Sequence, residues 1–454
     1  MKKLHFAHAL LPDGWAAGVR ITVDDQGRIA AVDADMPADG CEAHAGIALP
    51  GLPNLHSHAF QRGMAGLAER RGATEENFWG WRQVMYRFLA VLDPDDVAAI
   101  AAQAYVEMVE SGFTSVAEFH YLHHAPGGGR YGDPAEMAAA IGRAAAESGI
   151  GVTHLPVFYG FGGFGGGAPE PGQRRFVTAP DEFQRIVAAS RHALRDLPDA
   201  MVGVAPHSIR AVTPGTLAEV VDAAAAVPIH IHIAEQQREV DECLAWSGRR
   251  SVDWLLDEMP VDGRWCLVHA THVSAGEVSR IAASGAVAGL CPITEANLGD
   301  GLYPLPAFLA RGGRLGVGSD SNVRIDAAEE LRLLEYGQRL RDQMRNVVVS
   351  HADRSTGRAL CDLALAGGAQ ATGRAVGRLA PGHRADIVML DPEHPALVGR
   401  QGDHWLDGWL FAADGRAIDR VWIGGRAVVE RGRHLLRESV RRRFARTMRR
   451  LLEN

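Results

Sequence analysis

Through the middle of the chain, short apolar runs alternate with longer one-sided apolar stretches. Eight of the short runs read as strands: IALPGLPNLH (47–56), TSVAEFH (114–120), VTHLPVFY (152–159), VGVAPHS (202–208), PIHIHIA (228–234), RWCLVHA (264–270), AVAGLCP (286–292) and RLGVGSD (314–320). Segments such as PDDVAAIAAQAYVEMVESG and DPAEMAAAIGRAAAESG lie between most of them and carry the spacing of helices with one buried face. Strand–helix alternation predicts a parallel sheet, and eight repeats of it predict an α/β fold closed as a (β/α)8 TIM-like barrel. The chain ends have a different texture. RITVDD and GRIAAVDADMP near the start, and HRADIVMLDPEHP and IDRVWIGGRAVVERG near the end, are short strands broken by turns. Barrel termini lie close together, so residues 1–48 and 380–434 are expected to build one small β-sandwich beside a barrel of residues 49–379. In the final segment, 435–454, Leu435, Leu436, Val440, Phe444, Met448, Leu451 and Leu452 follow helical spacing. Such a basic amphipathic helix can lie on a membrane, but packing on the body with its arginines in water is the preferred reading.

Composition narrows the function. With 454 residues, 47% of them hydrophobic, the chain can bury a large core. A net charge of −8 argues against nucleic acid, which selects a basic face. The N-terminus MKKLHFAHALLPDGW has no apolar stretch adequate for a signal peptide, and no apolar segment approaches membrane-spanning length. Cys41, Cys243, Cys266, Cys291 and Cys361 are scattered without a paired spacing, as expected for reduced thiols in a cytoplasmic protein. Lys2 and Lys3 are the only lysines. The glycine-rich stretch from Gly160 to Gly172 therefore cannot be a phosphate-binding P-loop and reads as a surface loop or a lid.

The chemistry collects at predicted strand ends, which face the active site in such a barrel. A strand places residues i and i+2 on one side, so His230 and His232 point the same way, as do His56 and His58. On its own, the fifth strand leaves two readings open: core histidines satisfied by hydrogen bonds, or a ligand. The other strands decide between them. Strand one ends in His56 and His58, strand five in His232 with Glu235 just beyond, strand six in His269, and strand eight in Asp320. Three imidazoles and a carboxylate suit one divalent cation, zinc first, with iron and manganese also tolerated. His230, two residues deeper, is expected to be structural. His120, His123, His124 and His272 are taken as supporting or surface groups, and Thr294, Glu295 and Asn297 as loop-building residues.

This constellation resembles the amidohydrolase superfamily. Many of its members bridge a second metal with a carboxylated lysine on strand four, and VGVAPHS holds no lysine, so the resemblance implies a mononuclear site. PGLPNLHSHAFQRGMAG, NFWGWRQVMY, TSVAEFHYLHH, FYGFGGFGG, HIHIAEQ and CPITEANLGDG together look like the formimidoylglutamate deiminase family along essentially the whole chain. That resemblance implies hydrolysis of a small dianionic substrate with release of ammonia, and a homodimer. It implies metal ligation by His56, His58, His232 and Asp320. It further implies catalytic roles for Glu235, His269 and Asp320, and substrate contacts from Gln61, Arg82, Tyr121, His207 and Arg210. Rival readings are a deaminase of flat purine, pterin or triazine substrates, an imidazolone-ring hydrolase, and a barrel that keeps a metal only for stability.

Overall fold

The structure is a computed structural model, and it describes residues 1–70, 78–349, 351–414 and 416–453. Asn77, the first residue of the NFWGWRQVMY segment, lies outside the described residues.

The central strands run parallel in two sheets. One is built by Leu52–Ser57, Phe113–His120, Gly151–Phe158 and the short pieces Met201–Val202 and Ala205–Pro206. The other is built by Ile229–Ile233, Trp265–His269, Val287–Leu290 and Arg314–Val317. Parallel bridges pair Ser57 with Asp320 on one side, and Val204 with Ile229 and Ser208 with His232 on the other. Nearly every residue of these strands is buried, as their unbroken apolar character requires when both faces are covered.

The chain ends meet in one eight-stranded sheet. Its order is Arg433–His434, Arg426–Glu430, Ile418–Ile423, Ile387–Leu390, Glu42–Pro50, Lys2–Leu11, Gly14–Val23 and Ile29–Asp33. Only Lys2–Leu11 with Glu42–Pro50 is parallel; the N- and C-terminal halves join where Leu49 faces Val388. Leu4, Phe6, Ile21, Ile387 and Trp422 form a small core of their own there.

Two expectations change. The predicted first strand, 47–56, is two strands in different sheets, divided at Gly51. A Cβ on Gly51 would stand 2.2 Å from the Thr114 hydroxyl, so the crossing between sheets needs a residue without a side chain. The stretch 380–434 also holds a helix, Asp403–Phe411, whose sequence DHWLDGWLF is too short and tryptophan-rich to separate from strands by periodicity.

Helix Thr356–Thr372 packs against the parallel strands. Its last turn leaves carbonyls without helical partners, and two of them accept from strand side chains: Thr372 O from Thr153 Oγ1 at 2.8 Å and Ala371 O from His230 Nε2 at 2.8 Å. The C-terminal helix, Arg437–Leu452, lies against helix Pro94–Glu110. Val440 is buried, and Phe444, Met448 and Leu451 pack on the core. Arg437 pairs with Glu110 at 2.6 Å, and Arg443 and Arg450 pair with Glu147 and Asp96. Leu435 and Leu436, counted with that apolar face from the sequence, precede the helix and are exposed. Among the described residues, no helix is long and apolar enough to cross a membrane.

Gly367, in helix Thr356–Thr372, sits so close to strand Arg314–Val317 that a Cβ would fall 1.8 Å from the Leu315 carbonyl oxygen. Gly367→Ala is expected to force the helix outward and cost about 1–3 kcal/mol. Urea unfolding of both proteins measures it, and an unchanged midpoint would contradict this packing.

Candidate metal centre and active site

His56 and His58 leave the first parallel strand together because alternation puts them on one face. His232 closes strand Ile229–Ile233, and Asp320 follows strand Arg314–Val317. All four are buried, and their ligand atoms lie within 4.8 Å of one another. His56 Nε2 is 3.2 Å from His58 Nε2 and 3.1 Å from His232 Nε2. Asp320 Oδ1 is 3.3 Å from Nε2 of both His56 and His58.

His58 Nδ1–H donates to the Phe119 carbonyl at 2.8 Å, and His232 Nδ1–H to the His207 carbonyl at 3.1 Å. Each ring therefore presents a bare Nε2 lone pair to the others. Burial first, and neighbouring imidazoles next, hold His232 well below its usual range, and burial takes His56 down to about 3, so neither ring carries a second proton. Neutral imidazoles converging at such distances suit a cation between them. A tetrahedral shell of ligands at ~2.0–2.2 Å has edges of roughly 3.3–3.6 Å, close to the observed spacing. Burial alone would raise the Asp320 carboxyl, but its hydrogen bond to His56 and the adjacent imidazoles hold it lowered, the state a cation ligand requires.

The ligand-bearing segments are held together by buried side chains. Asn54 donates to Ser319 Oγ at 2.7 Å, and Ser319 donates to Asn322 Oδ1 at 2.7 Å. Asn322 donates to Ser57 Oγ at 3.1 Å and to the Asp320 carbonyl at 2.9 Å. These bonds fix strand one against strand eight. Ala234, His269, Ala270, Asp320 and Asn322 have positive φ, between 46° and 67°, so strain is concentrated where the strands deliver the site.

The remaining residues singled out from the sequence share one pocket with this cluster. Gln61, Arg82, Tyr121, His207, Arg210, Glu235 and His269 line it, together with Asp320, His58 and His232. His269 Nε2 stands 3.8 Å from Glu235 Oε1 and 3.8 Å from Asp320 Oδ2, and its ring stacks on His232 at 12°. Burial raises the Glu235 carboxyl above its usual range. Burial opposes a proton on His269, but the carboxylates of Glu235, Glu295 and Asp320 outweigh it and the imidazole is raised. Gln61 Nε2 donates to Tyr121 Oη at 2.8 Å, while its Oε1 has no hydrogen-bond partner among the described residues. The guanidinium of Arg82 lies 4.5 Å, and that of Arg210 5.4 Å, from the centre of the Trp79 ring, with Arg238 at 4.4 Å, so the indole gathers three cations.

The other histidines stay away from the cluster. His120, His123 and His124 bond to the carbonyls of Leu122, Val157 and Val177, and His230 to that of Ala371. Sequence reasoning missed three contributors. Glu239 Oε2 lies 4.0 Å from Arg210 Nη2, and Trp79 seats the arginines. Glu295, taken as loop-building, caps Cys291 N–H at 2.9 Å but also reaches His269 Nδ1 at 3.2 Å. The glutamates fall four residues past Glu235 and four past Cys291, spacings that mark helical neighbours and hint at nothing across strands. Asn297 bonds Glu69 at 2.7 Å, and Thr294 bonds Ser321 at 2.9 Å.

A parallel α/β array with a metal-type cluster at strand ends defines a class, and similarity agrees with it: the amidohydrolase family model matches residues 47–428. The chain belongs to the amidohydrolase family. Residues 1–46 match the model described as formimidoylglutamate deiminase HutF, N-terminal domain. The formimidoylglutamate deiminase of Pseudomonas aeruginosa is 50% identical over 454 residues, covering 100% of both chains. The 8-oxoguanine deaminase of the same organism is 30% identical, covering 86% of this chain and 84% of its own. The crystal structure of an amidohydrolase from Brucella melitensis is 48% identical, with a TM-score of 0.95 and 100% of both chains covered.

Asp320→Asn should weaken cation retention by at least tenfold, since it removes the only anionic member of the four-residue cluster. Metal analysis after dialysis against a chelator reads this directly; equal retention by wild type and variant would refute the assignment.

Proposed function

We propose that this chain hydrolyses N-formimidoyl-L-glutamate to N-formyl-L-glutamate and ammonia, a step of histidine breakdown. One observation carries the reading. A four-residue metal-type cluster, a buried glutamate and two arginines share a single pocket, in a chain that is 50% identical to a formimidoylglutamate deiminase throughout its length.

His56, His58, His232 and Asp320 would hold one divalent cation, with zinc the ion proposed. Such a cation supplies acidification of water toward neutral pH. Glu235 and Asp320 orient the water, and Glu235 accepts its proton as the oxygen bonds to the formimidoyl carbon. His269 Nε2 hydrogen-bonds the charge that develops there. Glu235 then gives its proton to the departing nitrogen of the amidinium-derived adduct, the C–N bond breaks as the new hydroxyl passes its proton to Asp320 and becomes the formyl oxygen, and ammonia leaves. Arg82 and Arg210 take the two substrate carboxylates, aided by Gln61, Tyr121 and His207; a guanidinium matches a carboxylate with two parallel hydrogen bonds.

The finer architecture follows the same reading. On it, the eight parallel strands close as one barrel, a reading supported by the isolated bridges Ser57–Asp320 and Val204–Ile229. The terminal sheet, from residues 1–48 and 380–434, folds into a small β-sandwich domain, and the helix Arg437–Leu452 stands apart from it. A homodimer in the cytoplasm, with the five thiols reduced, is the proposed working state.

The rival worth testing is a deaminase of a flat, mostly neutral base, since one relative is an 8-oxoguanine deaminase. Two guanidiniums at the pocket would be poorly matched to such a ligand. An ammonia-coupled assay with N-formimidoyl-L-glutamate decides. Release of ammonia with N-formylglutamate is expected, whereas formamide plus glutamate, or turnover of purines alone, would overturn the proposal. Glu235→Gln should keep its metal and lose about 10²–10⁴-fold in kcat, the range for a lost acid–base group; near wild-type kcat would remove Glu235 from its role. Arg210→Ala should raise KM for the dianion roughly 10–100-fold, in line with a charge-assisted hydrogen bond of about 1.5–3 kcal/mol. A neutral formamidine should be barely affected, and equal effects on both substrates would count against Arg210 as a carboxylate partner.

A further inference from the structure

Glu295 belongs to helix Pro292–Leu298, which follows strand Val287–Leu290, whereas His269 closes strand Trp265–His269. One carboxylate oxygen, Oε1, faces both the Cys291 N–H at 2.9 Å and His269 Nδ1 at 3.2 Å. The N–H anchors that oxygen in place. The imidazole is fixed from three sides. Its backbone has φ of 67°, its ring lies against His232, and its Nδ1 is claimed by Glu295. Only Nε2 is then presented to the pocket, midway between Glu235 and Asp320, 3.8 Å from each.

A carboxylate that merely capped the Cys291 N–H would need no contact with His269. Burying its charge is costly unless a cation or a strong donor compensates, and His269 Nδ1–H supplies that donor. We propose that Glu295 is a positioning residue for the reaction: it accepts a hydrogen bond from His269 Nδ1–H, fixes the ring, and so aims Nε2 at the reacting atoms of the substrate. The inference rests on the deiminase reading above and adds to it a group that touches neither substrate nor metal.

Acting through His269, Glu295 should affect the chemical step and little else. Glu295→Ala is expected to lower kcat for formimidoylglutamate about 10–100-fold, the usual cost of losing such a supporting partner, with KM and metal content within about twofold of wild type. Glu295→Gln keeps an acceptor for both N–H groups and should retain most of the activity lost in the alanine variant. In a His269→Asn background, neither change should cost more than about twofold further. If Glu295→Ala does not fold, the glutamine variant in the two backgrounds decides. An unchanged kcat, a loss of metal, or the same fold-loss with and without His269 would overturn the proposal. A readout independent of turnover separates this from failure of the substrate assignment. In protein carrying 15N-labelled histidine, one downfield Nδ1–H resonance should vanish in both Glu295→Ala and His269→Asn, whatever the substrate. If the two variants lose no common resonance, the Glu295–His269 bond is absent and the proposal falls; wild-type protein that keeps the resonance but releases no ammonia would refute only the substrate.

Discussion

The structure depends on an unfavourable arrangement: three buried imidazoles whose Nε2 atoms crowd together at the mouth of the strands, with a carboxylate beside them. Without a compensating charge these groups repel, and each has given up its hydration to be there. Backbone carbonyls hold the Nδ1 protons of His58 and His232, so these two rings present bare nitrogens to the cluster. The same bonds that orient these rings make the cluster selective for a cation that accepts nitrogen lone pairs. Rigidity is the condition for this, because a flexible site would relax by rotating its rings apart.

That rigidity has identifiable sources. The buried chain of Asn54, Ser319, Asn322 and Ser57 ties the two strands that bring His56, His58 and Asp320. On the opposite side, His232 N–H donates to the His207 carbonyl at 3.0 Å, so the ligand and the pocket-lining histidine share one hydrogen-bonded pair of strands. Helix Thr356–Thr372 braces the strands through Thr153 and His230. His230 thus works at the other end of its strand from the chemistry: alternation puts it on the same face as His232, but two residues of rise carry it to a helix carbonyl instead of the cation site.

How much was legible in the sequence follows from the range of each signal. Strand existence and the ligand set were readable because burial on both faces makes strands continuously apolar, and a histidine or aspartate at the end of such a run stands out. The division at Gly51 was not readable, since the apolar pattern runs through it and only contact with Thr114 shows why the chain must turn there. The helix Asp403–Phe411 is nine residues long, too few turns for a helical period to emerge. The loop-building bond of Glu295 to Cys291 was readable from local spacing, but its second partner, His269, lies 26 positions away on a different strand. Local spacing carries local partners; contacts between strand ends exist only once the sheet has formed.

The arginines follow the same logic at longer range. A dianion must leave water to enter a pocket, and fixed guanidiniums repay that loss better than mobile ammonium groups because less freedom is surrendered per hydrogen bond formed. Here both cations lie close to one tryptophan ring, and Arg210 is further steadied by Glu239, 4.0 Å away and buried. At that distance the pair attracts without a formed hydrogen bond, and Arg210 Nε is without a partner among the described residues. The guanidinium is therefore held in position while its donors stay uncommitted. A carboxylate arriving in the pocket gains bonds that the protein has not already spent on itself, which is how a buried cation can be both stable and ready to bind.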